Sequence, residues 1–253
     1  MKLNIITKAL AVCAFLWGAA PAATSHNFVD FGPAEKFIEP EIHLLAGSSS
    51  VTQNYRSCFP EIKDLNINMG FSGGIGGSAV FGLSNFLGLG TSLDVMVNNY
   101  NVDMAVVGPN NLSVSSLFIN NRAYYLNVPV FVSFRFNPMR SMRWILNAGF
   151  YYGFGFAGYQ HRHTYRAELN DLNQLVPQSE KVETDYFHSP STFLSRFHRG
   201  DIGLHLATDL HFGPHLTVGA RFQIGMKNTA EQIGVRNPNI HNYSVHAMLG
   251  YRF

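Results

Sequence analysis

The last twelve residues of the chain alternate between an apolar side chain and a mostly polar or small one. The apolar positions are Tyr243, Val245, Ala247, Leu249, Tyr251 and Phe253. Successive side chains of a β-strand point to opposite faces, whereas a helical pattern repeats every 3.6 residues. This segment is therefore predicted to be a strand with one apolar face, and its last residue is aromatic.

The same period of two recurs in segments farther up the chain. Turn-forming residues separate several of these segments, near Ser84, Pro138 and Pro214. Alternating runs bounded by such residues predict hairpins of antiparallel strands. The predicted strands cover residues 41–48, 67–81, 86–100, 126–136, 144–156, 202–212, 216–226 and 242–253. The chain is therefore predicted to be all-β with eight strands.

The composition favours lipid as the surroundings of the apolar faces. Charged residues make up 13% of the chain, well below the share in an average soluble domain, and there are 21 Phe and 11 Tyr. The longest nearly unbroken apolar run, 148–158, is too short for a transmembrane helix, which needs about 20 residues. Because lipid cannot satisfy unpaired backbone groups, a closed sheet is the remaining way to span a bilayer. The net charge of +2, without a run of Lys and Arg, indicates no nucleic-acid partner.

The lengths of the links between the predicted strands test this interpretation independently. Three turns are a few residues long, and the other links are much longer. The long links cover residues 51–66, 101–121, 157–198 and 229–241. Short and long links alternate, as the short periplasmic turns and long extracellular loops of outer-membrane barrels do. The sequence thus predicts an eight-stranded antiparallel up-and-down transmembrane β-barrel in the bacterial outer membrane, surrounded by outer-membrane lipid.

The N-terminus has the features of a secretory signal peptide. A positively charged start precedes an apolar core from Ala9 to Trp17, and the small residues Ala20-Pro21-Ala22 form a cleavage signal. We expect residues 1–22 to be a signal peptide and residues 23–40 to be a periplasmic segment that contacts the barrel mouth or another protein. The barrel is expected over residues 41–253.

The predicted inward faces carry charges of both signs. These residues are Glu41, Asp94, Arg135, Arg143, Asp201, Asp209, Arg221, Lys227 and Arg252. The interior of an eight-stranded barrel is narrow enough for side chains to fill it, and buried charges need partners. The nearly balanced set therefore predicts a paired lumenal charge network that plugs the barrel. The alternative, a selectivity filter, would favour a single sign of charge.

Several histidines are predicted to face the same interior: His43, His205, His211 and His246. A metal site needs three or four converging ligands, but His205 and His211 are about 20 Å apart along one strand. We interpret these histidines as hydrogen-bonding lumenal residues and predict no metal and no cofactor. His161-Arg162-His163 is a second candidate cluster, and a solvated surface is its simpler interpretation.

Some small outer-membrane barrels modify lipids, which makes a catalytic pair an alternative for this chain. Such chemistry requires a nucleophile beside a histidine base. Ser195 and His198 are the nearest local pair, but no nucleophile elbow surrounds Ser195. We therefore predict no catalytic residues and no enzymatic activity.

Four segments resemble the PorT-like family of small outer-membrane barrels. They are Tyr125-Leu126-Asn127-Val128-Pro129-Val130, the Gly-rich strand 147–155, Leu216-Thr217-Val218-Gly219-Ala220-Arg221-Phe222 and the closing Gly250-Tyr251-Arg252-Phe253. The resemblance covers residues 40–253. In that family the proline-bearing strand recurs, which implies that Pro129 belongs to a strand, near its end or a bulge. The family includes an accessory protein of type IX secretion, which carries cargo proteins across the outer membrane.

The resemblance implies a non-enzymatic barrel that acts as an accessory or scaffold of an envelope machine such as type IX secretion. Secretion-machine proteins are then the expected partners. The alternative is a surface-exposed binding or adhesion barrel that acts through the aromatic-rich link 157–198. Tyr251 and Phe253 resemble the signal that the barrel-assembly machinery recognises in its clients, which makes that machinery a further expected partner.

Overall fold

The computed structural model describes residues 27–107, 113–139, 141–169, 175–188, 197–232 and 236–253. The predicted signal peptide, residues 1–22, lies outside the described residues. The strands are β1 (Ile38–Gln53), β2 (Ile62–Gly82), β3 (Leu87–Val107), β4 (Val114–Met139), β5 (Met142–Leu169), β6 (Leu175–Asp185), β7 (Gly200–Phe212), β8 (Leu216–Gly225) and β9 (Ile240–Arg252). One short helix, α1 (Tyr55–Cys58), follows β1. None of the helical structure in the described residues is long and apolar enough to cross a bilayer.

Eight of the strands close into an antiparallel ring. The ring runs in the order β1, β2, β3, β4, β5, β7, β8, β9, and the last strand returns to the first through pairs from Glu41–Arg252 to Gln53–Ile240. The ninth strand, β6, pairs with the last part of β5, from Tyr159–Asp185 to Leu169–Leu175. The predicted eight-stranded barrel is confirmed. The additional strand β6 pairs only with the extracellular half of β5.

Side chains alternate around the ring between lipid and lumen. Large apolar side chains such as Ile42, Phe71, Ile75, Phe150 and Leu249 are more than half exposed on the outside. Their neighbours along each strand point inward and are mostly buried. An isolated soluble domain rarely exposes so continuous an apolar surface, whereas a bilayer covers it at no such cost.

Four neighbouring strands are far longer than a membrane crossing requires. β2 and β3 have 21 residues each, β4 has 26 and β5 has 28, against about 9–11 for a transmembrane strand. Together with β6, their far halves form a tall extracellular sheet on one side of the barrel. The predicted long links 51–66, 101–121 and 157–198 were therefore wrong in part. Much of each link is strand, because a strand above the lipid has a polar outer face and loses its alternating pattern.

An apolar core covers the inner face of this tall sheet. Its buried side chains include Tyr100, Val102, Met104, Val106, Leu117 and Ile119 from the sheet, covered by Tyr55, Phe59, Tyr186, Phe187, Phe197 and Ala230 from the connecting segments. The rings of Tyr186 and Phe197 stack with centroids 4.2 Å apart. This core closes the extracellular end of the barrel.

Pro129 lies in the middle of β4 rather than near its end. The paired positions of β3 and β4 stop at Thr91–Val130 and resume at Asp94–Asn127 with the same register. The register shift in this part of the β4–β5 pairing falls instead between Tyr124 and Tyr125, where β5 has an extra residue, Phe156. The expected strand end or bulge at Pro129 is therefore wrong. The proline interrupts the ladder because it has no N–H to donate, and the Thr91 hydroxyl donates to its carbonyl oxygen at 3.0 Å.

Candidate functional site in the barrel lumen

Inward-facing glycines make room for the buried carboxylates. Gly76 lies opposite Asp94 on the next strand, and Gly219 lies opposite Asp209. A Cβ atom at either glycine would overlap the carboxylate oxygen of its partner. Gly250 likewise leaves space for Glu41. The narrow lumen therefore places carboxylates against glycine backbone, where larger residues would not fit.

Asp94 is the centre of the lumenal network. Its side chain is fully buried, and its Oδ2 accepts a hydrogen bond from Arg221 Nη1 at 2.6 Å. Its Oδ1 lies 2.8 Å from His43 Nε2, and the Ser92 hydroxyl donates to Oδ2 at 3.0 Å. Glu41 extends the cluster, because its carboxylate lies 3.6 Å from the other ring nitrogen of His43. Charged and polar partners thus compensate a charge that would be costly alone.

The other two buried aspartates have neutral partners. Asn147 donates to Asp209 at 2.6 Å. Asp201 accepts from the Tyr151 hydroxyl at 2.9 Å and from the Asn242 amide at 3.0 Å. These two carboxylates belong to the interior, as predicted, but hydrogen bonds rather than ion pairs hold them.

A second ionic cluster lies at the periplasmic end of the lumen. Glu39 Oε1 is 3.1 Å from Arg135 Nη1 and 3.8 Å from Arg143 Nη1. Arg143 also reaches Glu35 at 3.4 Å. Arg135 is almost fully buried, beneath the paired glycines Gly82 and Gly88.

The remaining members of the predicted set lie near the ends of the strands. Arg252 donates to the Gly213 carbonyl at 2.8 Å in the β7–β8 turn, and Glu41 accepts from the Thr217 hydroxyl at 2.7 Å. Lys227 differs from the prediction. β8 ends at Gly225, so Lys227 lies beyond the alternating region and its side chain is exposed.

Sequence reasoning missed Glu39 as a member of the network. The predicted barrel began at residue 41, whereas β1 begins at Ile38, so Glu39 is an inward position of the same strand. Glu39, Glu41 and His43 are alternate residues of one strand and share its inward face, and this spacing was the signal that would have identified Glu39. Tyr151 is also an inward residue, and its hydrogen bond with Asp201 joins two strands whose register the sequence does not specify.

The lumen between these clusters is filled by side chains. Leu45, Met96 and Met248 form a small apolar layer in its middle. On the periplasmic side of that layer is a cavity of about 30 Å³, lined by groups that include Arg135, Asp209 and His211. A cavity of this size has room for ordered water but not for a diffusing solute.

Several polar atoms in this region have no protein partner among the described residues. They include the Nε and Nη2 of Arg135, Asp209 Oδ1, Asn147 Oδ1 and His211 Nδ1. Buried polar atoms of this kind are usually satisfied by bound water. The polar lining therefore suits a hydrated cavity inside an otherwise packed interior.

The candidate metal and catalytic groups do not come together in the described part of the chain. No three His, Cys, Asp or Glu side chains there could share a metal ion. His205 contacts the Phe131 ring and Gln223, and His246 lies 2.7 Å from the Ser72 hydroxyl. His198 is exposed, 3.9 Å from Glu231, and its proposed partner Ser195 lies outside the described residues.

Residues 41–231 match the family model described as outer membrane protein beta-barrel domain. The chain belongs to this family of outer-membrane β-barrels. Membership agrees with the closed ring and the exposed apolar outer surface. The protein is therefore an integral protein of the bacterial outer membrane that crosses it with strands.

Solved structures of other outer-membrane proteins are similar to this family member. The attachment invasion locus protein Ail of Yersinia pestis, in complex with the heparin analogue sucrose octasulfate, is 10% identical, with a TM-score of 0.38 over 86% of this chain and 100% of Ail. Neisserial surface protein A is 10% identical, with a TM-score of 0.35 over 85% of this chain and 97% of that protein. OprG from Pseudomonas aeruginosa is 7% identical, with a TM-score of 0.34 over 90% of this chain and 99% of OprG. No curated protein matches the sequence.

Proposed function

We propose that this protein is a non-enzymatic, non-conducting barrel that acts as an accessory or scaffold of an envelope machine. The occlusion of its interior is the observation that carries the proposal. The ion pair between Asp94 and Arg221 lies between the apolar core at the extracellular end and the Glu39–Arg135 pair at the periplasmic end. Conducting barrels keep an aqueous lumen, usually with twice as many strands.

Protein secretion is the process that the PorT-like segments favour. A scaffold of this kind would offer its periplasmic rim and its lipid-facing wall to partner proteins, while the plugged lumen maintains the permeability barrier. Cargo would pass through another component of the machine. The partners expected on this proposal are secretion-machine proteins at the periplasmic rim or in the membrane plane.

Gene deletion in the native bacterium tests the proposal. We expect a set of proteins to disappear from the culture medium and to accumulate in the periplasm, with recovery when the intact gene is restored. Affinity purification from solubilised outer membranes is expected to retain the same secretion components. An unchanged set of secreted proteins would contradict the secretion role.

A second candidate, surface binding, is favoured by the hairpin of β5 and β6. This hairpin, the extracellular arm, consists of residues 159–169 of β5 and 175–185 of β6 and extends past the point where β5 leaves β7 at Phe154. Its exposed side chains include Tyr159, Tyr165, His161, Lys181 and Glu183. Aromatic side chains such as those of the two tyrosines are enriched at recognition surfaces.

Shortening the arm separates the two candidates. In the variant, a short Gly-Ser turn replaces residues 162–182 and joins the paired positions His161 and Glu183. The pairing of β5 with β7 over residues 142–154 is untouched, so the barrel is expected to fold and to shift on unheated gels like the intact protein. If this variant restores secretion in the deletion strain, the result supports the scaffold. If the deletion strain secretes normally and cells with the shortened arm lose adhesion, the results support surface binding.

A further inference from the structure

Residues 27–37, the N-terminal strap, lie along the periplasmic rim, and Ala34 and Lys36 pass on the lumen side of Gly82. Three phenylalanines of the strap contact phenylalanines near the periplasmic ends of the strands. The ring centroids of Phe28 and Phe136 are 5.2 Å apart, those of Phe31 and Phe86 are 5.3 Å apart, and those of Phe37 and Phe81 are 6.1 Å apart. Phe81 and Phe136 are outward positions of β2 and β4, so the strap continues the lipid-facing surface.

The polar groups of the strap bind the rim. The Asn137 N–H donates to the Phe28 carbonyl at 2.8 Å, and the Asn85 N–H donates to the Gly32 carbonyl at 3.0 Å. Asn85 also donates to Asp30 at 2.8 Å and accepts from the Glu35 N–H at 2.9 Å. The strap is therefore attached to two periplasmic turns by its own backbone.

Its aromatic side chains point away from these bonds. Phe31 is 77% exposed, Phe37 is 70% exposed and Phe28 is 48% exposed. Exposing three large rings to water is unfavourable, by about 25 cal/mol for each Å² of apolar surface. A segment held so firmly to the rim, with its rings turned outward, requires an apolar surrounding for them.

Neighbouring side chains indicate which surrounding this is. Trp144 packs against Phe136 on the outer wall with ring centroids 5.4 Å apart, and its indole N–H donates to Thr208 at 2.8 Å. Tyr251 and Phe253 add two further exposed aromatic rings at the same end of the barrel. Bands of Trp, Tyr and Phe at the edges of a lipid-facing surface mark the membrane–water interface. The strap rings are continuous with such a band.

We propose that the N-terminal strap is a membrane-interface anchor. Phe28, Phe31 and Phe37 insert into the boundary between headgroups and acyl chains of the periplasmic leaflet. The backbone and the polar side chains of the strap meanwhile hold it to the turns. The ligand of this surface is phospholipid, and the strap is part of the transmembrane unit rather than a free periplasmic segment.

Spin labels at defined positions test the proposal in the full chain. Cys13 and Cys58 are replaced by Ala and Ser, and a single cysteine is introduced as Phe31→Cys and labelled after reconstitution into phosphatidylcholine–phosphatidylglycerol vesicles. Val130→Cys, at an exposed position of β4 in mid-wall, provides the lipid reference. Pro214→Cys, in the exposed β7–β8 turn, provides the water reference. Collision with oxygen, which concentrates in lipid, is compared with collision with a water-soluble nickel chelate.

The anchor predicts an oxygen-to-nickel collision ratio at residue 31 that is higher than at residue 214 and lower than at residue 130. The same order is expected for a label introduced as Phe37→Cys. A ratio at residue 31 equal to that at residue 214 would overturn the proposal, because the ring would then face water and suit a protein partner. Weak collision with both reagents would also overturn it, because the side chain would be covered by protein.

Discussion

Arg221 and Asp94 join opposite walls of the barrel. Asp94 is on β3 and Arg221 is on β8, which are four places apart in a ring of eight, and the two side chains meet with Nη1 and Oδ2 2.6 Å apart. His43 on β1 completes the bridge between them, at 2.8 Å from Asp94 and 3.4 Å from Arg221. This single contact crosses the whole width of the lumen, so it both braces the walls and blocks the passage.

Replacing Asp94 with Asn is expected to destabilise the barrel strongly. The change leaves the guanidinium of Arg221 buried without its counter-charge, a loss of about 3–5 kcal/mol in the free energy of unfolding. Urea-induced unfolding of protein reconstituted in lipid vesicles measures it. Asp64→Asn is the matched control, because Asp64 forms an exposed ion pair with Arg56 whose loss should have little effect. Equal stability of the two variants would show that the lumenal bridge is not a bracing contact.

Two adjacent glycines of β2 provide a second test of the packed lumen. Gly76→Ala would push a methyl group into the Asp94 carboxylate, and overpacking of this kind costs about 1–3 kcal/mol. In Gly77→Ala the new methyl faces outward, and its nearest neighbour is the Glu41 carbonyl oxygen at 3.6 Å. We expect loss of stability in the first variant and none in the second, measured by the same unfolding assay. A similar result for both glycines would argue for an interior loose enough to accommodate the methyl.

The wall of the barrel was predictable because each strand lies between two different environments. Lipid on one side and a polar lumen on the other impose the alternation seen from Leu216 to Gly225 and from Asn242 to Arg252. The pattern therefore gives strand number, orientation and inward faces without knowledge of register. It also predicted the central group, Asp94 and Arg221, as inward residues, although not as each other's partners.

The extracellular sheet was not predictable in the same way. Above the lipid, the outward positions of β5 include His161 and His163. The extra residue Phe156 moves the outward face from even-numbered to odd-numbered residues, so the period of two is interrupted while the strand continues. The error at Lys227 has the opposite cause, because the alternation extends two residues past the end of β8. The contacts of Glu39 depend on where β1 begins, which the pattern alone left uncertain by three residues.

An extracellular ion pair makes one connecting segment sensitive to acid. Glu61 accepts two hydrogen bonds from Arg236, at 2.7 and 3.2 Å, and these bonds hold the pKa of Glu61 below its usual value. A carboxylate with a lowered pKa stabilises the folded state above its ordinary pKa and loses this contribution as the pH falls through the lowered value. We expect amide-exchange protection of residues 236–240 to fall in acid and to fall likewise at neutral pH in Glu61→Gln. The same pH dependence in the Gln variant as in the native protein would exclude this pair as its origin.

The terminal aromatic residue is expected to be required for assembly. Deleting Tyr251 to Phe253 removes the proposed recognition signal and also the pairs that Tyr251 forms with Ile42 and Leu216, so it should abolish insertion into the outer membrane. Phe253→Ala retains those pairs and isolates the side chain. We expect slower assembly in living cells but normal refolding of this variant in detergent, followed by the gel shift of the folded barrel. Normal insertion of the truncated chain would contradict the role of the signal.

The central claim is that side chains occlude the lumen from one end to the other. Recordings of the purified protein in planar lipid bilayers test it directly, with a porin reconstituted in the same membranes as the conducting control. The packed interior predicts a silent membrane after insertion has been verified by the gel shift of recovered protein. Large, stable single-channel currents that appear with this protein would contradict a plugged barrel and the non-conducting scaffold inferred from it.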